Sequence, residues 1–236
     1  MVYSPLVTLL SLVIILVARF YLILPSTRPS RQKIRGQSRT CSLAVFLGSG
    51  GHTAEALTLV SALDFSRYTP RTYIICQGDT LSAQKATSLE SAKNLFSAFY
   101  QHGTAKHSIL TIPRARQVRQ SLLTTPPTAV WCLMTSIYLF LLNPVFRTGQ
   151  PAFADVLLVN GPGTCFILCI VAYLNKVLRK FFGLSAPQII YVESFARVQS
   201  LSLSGKLLRL LVDRFIVQWP QLSAANTQSE YRGWLV

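Results

Sequence analysis

The residues able to do chemistry in this 236-residue chain gather where apolar runs stop. Gly48-Ser49-Gly50-Gly51-His52-Thr53 follows the run SLAVFL at 42–47 and opens a helical stretch. Glycines in such a turn let a ligand approach the backbone, and the N–H groups at the helix start favour an anion such as a phosphate. The segment lacks the GK[ST] of a P-loop, and Thr53 stands where a GxGxxG pattern has its last glycine. A tight strand-to-helix turn with no ligand would use the same glycines. His52, beside the turn, suits a general base or a donor to phosphate. It could equally cap its own loop.

Four further places carry reactive or anion-binding types at the ends of apolar runs. Gly161-Pro162-Gly163-Thr164 is a second glycine turn, able to shape the same cleft or to serve only as a turn. Glu193-Ser194 closes another run; its carboxylate can accept a sugar hydroxyl, act as a base, or pair with Arg197. Asp79 reads best as a helix cap. Arg114 and Arg116 follow a third run, where arginine suits bidentate phosphate binding and a solvated basic face is the alternative.

The elements that must position these residues alternate. Strands are expected at 42–47, 71–76, 108–112, 155–160, 187–193 and 213–218, with helices at 53–63, 79–99, 164–181 and 202–212. Such alternation implies a parallel sheet with helices on both faces. Strands apolar throughout fit a sheet covered on both sides. Ligands of such sheets bind beyond the carboxyl ends of the strands, where the glycine turns and Glu193 fall. A 14-residue apolar run at 129–142 interrupts the pattern. It can pack on the sheet or lie in a membrane interface with Arg114, Arg116 and Arg119 at the headgroups. Crossing the membrane there would separate later strands from the sheet, so a second span is rejected.

Composition narrows the function classes. Half the residues are hydrophobic and 13% are charged, which excludes a disordered chain. The net charge is +15. Residues 1–40 hold six basic and no acidic side chains, and the first acidic residue is Glu55. That bias suits anionic lipids or phosphates better than nucleic acid, for which no recognition motif appears. The five cysteines have no CxxC pair, and most sit in apolar runs, so buried thiols are expected and neither a disulfide framework nor a metal site.

Residues 1–25 read as a transmembrane anchor and 26–40 as a basic linker, with one α/β domain over 41–236. The span at 6–24 contains 14 Leu, Ile, Val or Phe residues. Each favours insertion by roughly 0.3–0.6 kcal/mol, which outweighs the ~2.5–3.5 kcal/mol cost of Arg19. The basic linker places the remainder in the cytosol. A cleaved signal peptide fits less well, because the basic n-region and a small-residue cleavage site are missing.

FLGSGGHTAEAL, LVNGPGTC and IIYVESFARVQSLSLSGKLLRLLVDRFIVQWPQL closely resemble the asparagine-linked glycosylation 14 family, the membrane-anchor subunit of the UDP-N-acetylglucosamine transferase of dolichol-linked oligosaccharide synthesis. The resemblance runs from the anchor to Gln221 and leaves the terminal AANTQSEYRGWLV unplaced. It implies a Rossmann-like fold, the acceptor-side half of a GT-B glycosyltransferase. A soluble partner that binds UDP-GlcNAc would complete the enzyme at the cytosolic face of the endoplasmic reticulum. The pair would transfer GlcNAc to GlcNAc-PP-dolichol with inversion, and the chain alone would be inactive. No cofactor or metal is implied. The acceptor diphosphate would sit on Gly48, Ser49, Gly50, Gly51 and Thr53, helped by Arg114 or Arg116, with Gly161 and Gly163 in the same cleft. His52 and Glu193 are the candidate bases, His52 preferred. Exposed apolar residues near the carboxyl terminus, Trp219, Tyr231, Trp234 and Leu235, are candidates for partner contact.

Two other classes compete. A non-catalytic membrane scaffold would only recruit the partner. A membrane-bound NAD-type oxidoreductase would want an acidic residue at the ribose position after the second strand, where Gln77-Gly78 stands with Asp79 close by.

Overall fold

A computed structural model describes residues 5–23, 40–99, 106–117, 120–121, 123–143, 153–161, 163–181, 183–224 and 229–235. Seven strands form one parallel sheet: β1 (Leu43–Leu47), β2 (Arg71–Cys76), β3 (His107–Ile112), β4 (Val156–Val159), β5 (Gln188–Val192), β6 (Arg214–Val217) and β7 (Ser229–Tyr231). Their spatial order is β3-β2-β1-β4-β5-β6-β7, and every neighbouring pair is parallel. This is the doubly wound order with one strand added. Six strands fall where the apolar runs predict them. The seventh lies in the terminal segment that the sequence left unplaced. It is clamped to β6 by Arg214, whose Nε donates to Glu230 Oε1 at 3.1 Å.

The helices are α1 (Pro5–Ile23), α2 (Gly51–Ser61), α3 (Thr80–Phe99), α4 (Thr125–Ile137), α5 (Thr164–Phe181), α6 (Leu203–Leu208) and α7 (Pro220–Ala224). Alternate strand residues feed two cores, as the period of a strand requires. Val45, Leu47, Tyr73 and Ile75 pack under Ala56, Val60 and Ala86 of α2 and α3. Phe46, Ile74, Val159, Tyr191 and Phe215 pack on the other face under Leu168, Val171 and Ala172 of α5 and Leu208 of α6. All five cysteines are buried free thiols, as expected. Burial raises the Cys76 thiol, and burial followed by the neighbouring Cys169 raises Cys165, so neither offers a ready thiolate.

Helix α4 runs on into a wider π turn at Tyr138–Leu142. Among the described residues this combined helix, Thr125–Leu142, is long and apolar enough to cross a membrane by length and composition. Its Cys132, Ser136 and Phe140 are nevertheless buried, with Cys132 clustered against Ile167 of α5. Val130, Trp131, Met134 and Tyr138 form the opposite, exposed stripe. The run therefore packs on the fold along one side and leaves an apolar side open. Helix α1 spans 19 residues, or about 28 Å at the α-helical rise. Linker residues 26–39 and the side chain of Arg19 lie outside what is described.

Candidate functional site

The strand order reverses between β1 and β4, which pair side by side from Leu43↔Val156 to Phe46↔Val159. In open α/β sheets the ligand crevice lies beyond the carboxyl ends of the strands at such a switch point. Both glycine turns leave the sheet there. They are packed against each other, and glycine is what permits it. A Cβ on Gly48 would stand 2.9 Å from the carbonyl oxygen of Asn160 and 3.0 Å from Cβ of His52. A Cβ on Gly161, where φ is +125°, would stand 3.5 Å from both Cα of Gly48 and Cγ of His52. The His52 ring is thus held between the two turns.

The tip of the first turn behaves differently. Gly50 and Gly51 are exposed, and open space lies where their side chains would be. Ser49 and Gly50 adopt φ of +65° and +57° in succession. A positive φ at a serine is uncommon and costly, so the fold holds this turn in a set shape. Among the described residues no side chain caps α2. Its first N–H groups thus have no acceptor from a capping side chain, the arrangement that favours an anion.

A hydrogen-bonded chain runs inward from His52. Its Nδ1 lies 2.7 Å from Oδ1 of Asn160, the residue after β4. Asn160 Nδ2 donates to Glu55 Oε2 at 2.6 Å. Ser194 Oγ, after β5, donates to Glu55 Oε1 at 2.9 Å. Three strand ends and helix α2 therefore meet at one group of side chains. Glu55, Asn160 and the Ser194 hydroxyl are members that sequence reasoning missed. Glu55 sits at i+3 from His52, one turn along α2, and that spacing was the available signal. Asn160 lies 108 residues from His52, and only the parallel pairing of β1 with β4 brings it near.

Glu193, next to Ser194 at the same edge, is sealed from solvent. It is 1% exposed. Its Oε2 accepts from the backbone N–H and the hydroxyl of Ser202, both at 3.0 Å, and its Oε1 accepts from the Ser194 N–H at 3.1 Å. The Tyr191 phenol is 3.3 Å away. Ser202 in turn caps α6 by accepting from the Gly205 N–H. Among the described residues no ion pair joins Glu193 to Arg197. Asp79 caps α3, its carboxylate accepting from the N–H and hydroxyl of Ser82 at 3.1 and 2.8 Å. The Thr53 side chain is buried against that cap, 2.6 Å from the Ser82 hydroxyl, so only its backbone can face the crevice.

The arginines approach the second turn through their loop. The Ala115 N–H donates to Oγ1 of Thr164 at 3.1 Å, which fixes Arg114 and Arg116 beside the start of α5. Arg116 is exposed and spends its guanidinium on the carbonyl oxygen of Gln120, at 2.8 and 3.2 Å. Arg114 is half-buried. Gly163, at the start of α5, has open space around it. Among the described residues no cluster of His, Cys, Asp and Glu could hold a metal.

The sequence model of the family described as "Oligosaccharide biosynthesis protein Alg14 like" matches residues 43–235, from β1 through the aromatic carboxyl-terminal segment. This chain belongs to the Alg14 family. It is 46% identical over 217 residues to a Cryptococcus neoformans protein named UDP-N-acetylglucosamine transferase subunit ALG14, covering 91% of this chain and 89% of that one. Proteins of the same name from Schizosaccharomyces pombe and Homo sapiens are 43% and 39% identical. The first covers 98% of this chain and 97% of its own length, and the second covers 83% of each. The Alg14 match includes β7, so the strand that the sequence left unplaced belongs to the family's own domain.

Proposed function

We propose that this Alg14 family chain is the membrane-anchored, acceptor-binding subunit of a two-chain UDP-GlcNAc transferase. In this reading the sheet is the acceptor half of a GT-B enzyme, and a soluble subunit supplies the nucleotide-sugar half. The observation that carries it is the position of His52: a half-buried imidazole clamped between two glycine turns, beside an uncapped helix start, at the switch point of the sheet. A diphosphate on the 48–53 amides would place the first GlcNAc of a GlcNAc-PP-dolichol acceptor beside that ring. The acceptor 4-hydroxyl would lose its proton to His52 as its oxygen bonds to the anomeric carbon of the donor. The bond from that carbon to the UDP oxygen would break on the opposite side, its electron pair leaving with UDP, with inversion at carbon. Glu193, saturated and sealed, takes a positioning role in this reading.

Helix α1 would hold the chain in the endoplasmic reticulum membrane, with the basic linker and the domain on the cytosolic side. The exposed stripe of Val130, Trp131, Met134 and Tyr138 would bring the crevice down to the interface, where aromatic and apolar side chains settle. For the soluble subunit the same edge of the sheet offers an aromatic group. Phe195, Trp219 and Trp234 lie with ring centroids 5.0–6.1 Å apart, and Trp234 is 67% exposed.

The test is reconstitution. The full chain, the soluble subunit, UDP-GlcNAc and a lipid-linked GlcNAc-pyrophosphate should yield the disaccharide lipid, and this chain alone should yield none. Undiminished product from a mixture lacking this chain would overturn the reading. Full activity with His52, Glu55 and Asn160 all substituted would leave the scaffold alternative in its place.

A further inference from the structure

Asn160 and Glu55 have a more specific use than filling the space beneath His52. A carboxylate has only acceptors, so the side of Asn160 facing Glu55 at 2.6 Å must be its NH2 group. The amide oxygen is then left facing His52, 2.7 Å from Nδ1. An amide oxygen cannot donate, so Nδ1 must carry the hydrogen. In a neutral imidazole one ring nitrogen donates and the other accepts, so Nε2 holds the free lone pair. Among the described residues nothing in the protein bonds to Nε2. The charge on Glu55 therefore sets the tautomer of a ring it does not touch. Ser194, donating to the second oxygen of Glu55, keeps that carboxylate turned toward Asn160.

We infer that Glu55 and Asn160 are positioning residues which hold His52 as the Nδ1–H tautomer, with Nε2 kept ready to take a proton in the crevice. The inference rests on His52 as the base of the proposed transfer. When Nε2 gains the acceptor proton, the ring becomes a cation with both nitrogens as donors. The Asn160 oxygen already accepts from Nδ1, so no group has to turn, and the Glu55 charge one residue beyond stabilises the cation that forms. Triads of this logic are known with a carboxylate directly on the histidine. Here an amide stands between them.

The tautomer can be read without any turnover. The full chain, labelled with 15N-histidine and held in detergent with its soluble partner, gives ring nitrogen signals for His52, His102 and His107. His52→Gln identifies the signal that belongs to position 52. At a pH where the ring is neutral, His52 should show its hydrogen on Nδ1, against the Nε2–H preference of a free histidine. Glu55→Gln keeps the shape but can offer either an oxygen or an NH2 to Asn160, so the Asn160 amide is free to turn over. That variant should show a mixture of tautomers and kcat about tenfold lower, with KM little changed. Asn160→Leu should return the ring to Nε2–H and lower kcat by about 100-fold, within the range a general base supplies. A wild-type His52 carrying its hydrogen on Nε2 would overturn the inference, even if His52 proved essential. So would wild-type kcat in Glu55→Gln with the tautomer changed. A structural role alone would lower folded yield or partner binding while leaving the tautomer of the folded fraction as it was.

Discussion

Two carboxylate-centred networks sit at opposite ends of the same sheet, and they end differently. At the amino end of β2, Arg71 and Glu90 are fully buried and joined by two bonds of 2.6 and 2.7 Å. Tyr73 donates to the same carboxylate at 2.7 Å, and Arg71 also reaches the carbonyl oxygens of Phe65 and Tyr68. Every strong group there is answered by another, as a buried ion pair must be if it is not to cost stability. At the carboxyl end, the chain through Glu55 and Asn160 stops at His52, a half-buried ring whose Nε2 has no protein partner among the described residues. The first network can only hold the fold. The second, in the proposed reading, holds one atom in readiness. The Glu193 cluster at that same edge is of the first kind: buried, saturated and tied to a helix cap.

Substitutions should separate the two regions cleanly. His52→Ala should lower turnover of the reconstituted enzyme by about 10²–10⁴-fold, the usual contribution of a general base. Partner binding, followed by co-purification, should be retained. Near-wild-type turnover would remove His52 from the chemistry. Glu90→Ala should cost about 3–5 kcal/mol of stability, because it leaves the Arg71 charge buried without its partner. Thermal unfolding measures this, and the activity of whatever remains folded should be near normal.

The buried pair also fixes a pH dependence. Burial alone would raise the Glu90 carboxyl, but the bonds from Arg71 and Tyr73 outweigh it and hold it below its ordinary value of 4.5. Its folded pKa is depressed, so its contribution is present above 4.5 and is lost as the pH falls through the folded value. Unfolding midpoints should drop on acidification below that point, and Glu90→Gln should flatten the drop. An unchanged acid slope in Glu90→Gln would mean that other carboxylates govern it.

Smaller effects sharpen the contrast further. Gly48→Ala places a methyl 2.9 Å from a backbone oxygen and 3.0 Å from His52, so the two turns must separate. A loss of about 1–3 kcal/mol is the usual cost of overpacking, and activity should fall further than stability explains. Gly50→Ala meets open space and should disturb the fold less, apart from the strain of its positive φ. Trp234→Ala should weaken the soluble subunit's binding by about tenfold if the ring is an anchor of that interface, which titration of the purified chains would read.

Much of this architecture is legible in the residues. The central strands β1, β2 and β4 announce themselves as apolar runs because both of their faces are covered, whereas the edge strand β3 shows in its apolar residues although only Ile112 is buried, and the two glycine turns mark the switch point. Strand β7 is not legible: Ser229–Tyr231 reads Ser-Glu-Tyr, a short edge strand held partly by an ion pair and without an apolar run. The run at 129–142 reads as a choice between packing on the sheet and lying in a membrane interface; the helix packs along one side and leaves an apolar side exposed. Glycines 48 and 161 read as phosphate contacts, yet the geometry first explains Gly48 by the close approach of two turns beside an imidazole and Gly161 by its φ of +125°. Glu55 and Asn160 stay hidden for a topological reason. They are 105 residues apart, each looks like an ordinary helix or strand-end residue, and only the crossover to β4 joins them.

The most direct measurement is hydrogen–deuterium exchange on the full chain with its soluble partner, with and without a lipid-linked GlcNAc-pyrophosphate. The amides of 49–53 should become protected when the acceptor is added, and adding the same lipid without its pyrophosphate should leave them as they were. Protection that appears elsewhere while these amides exchange unchanged would contradict an acceptor site at the turn above His52.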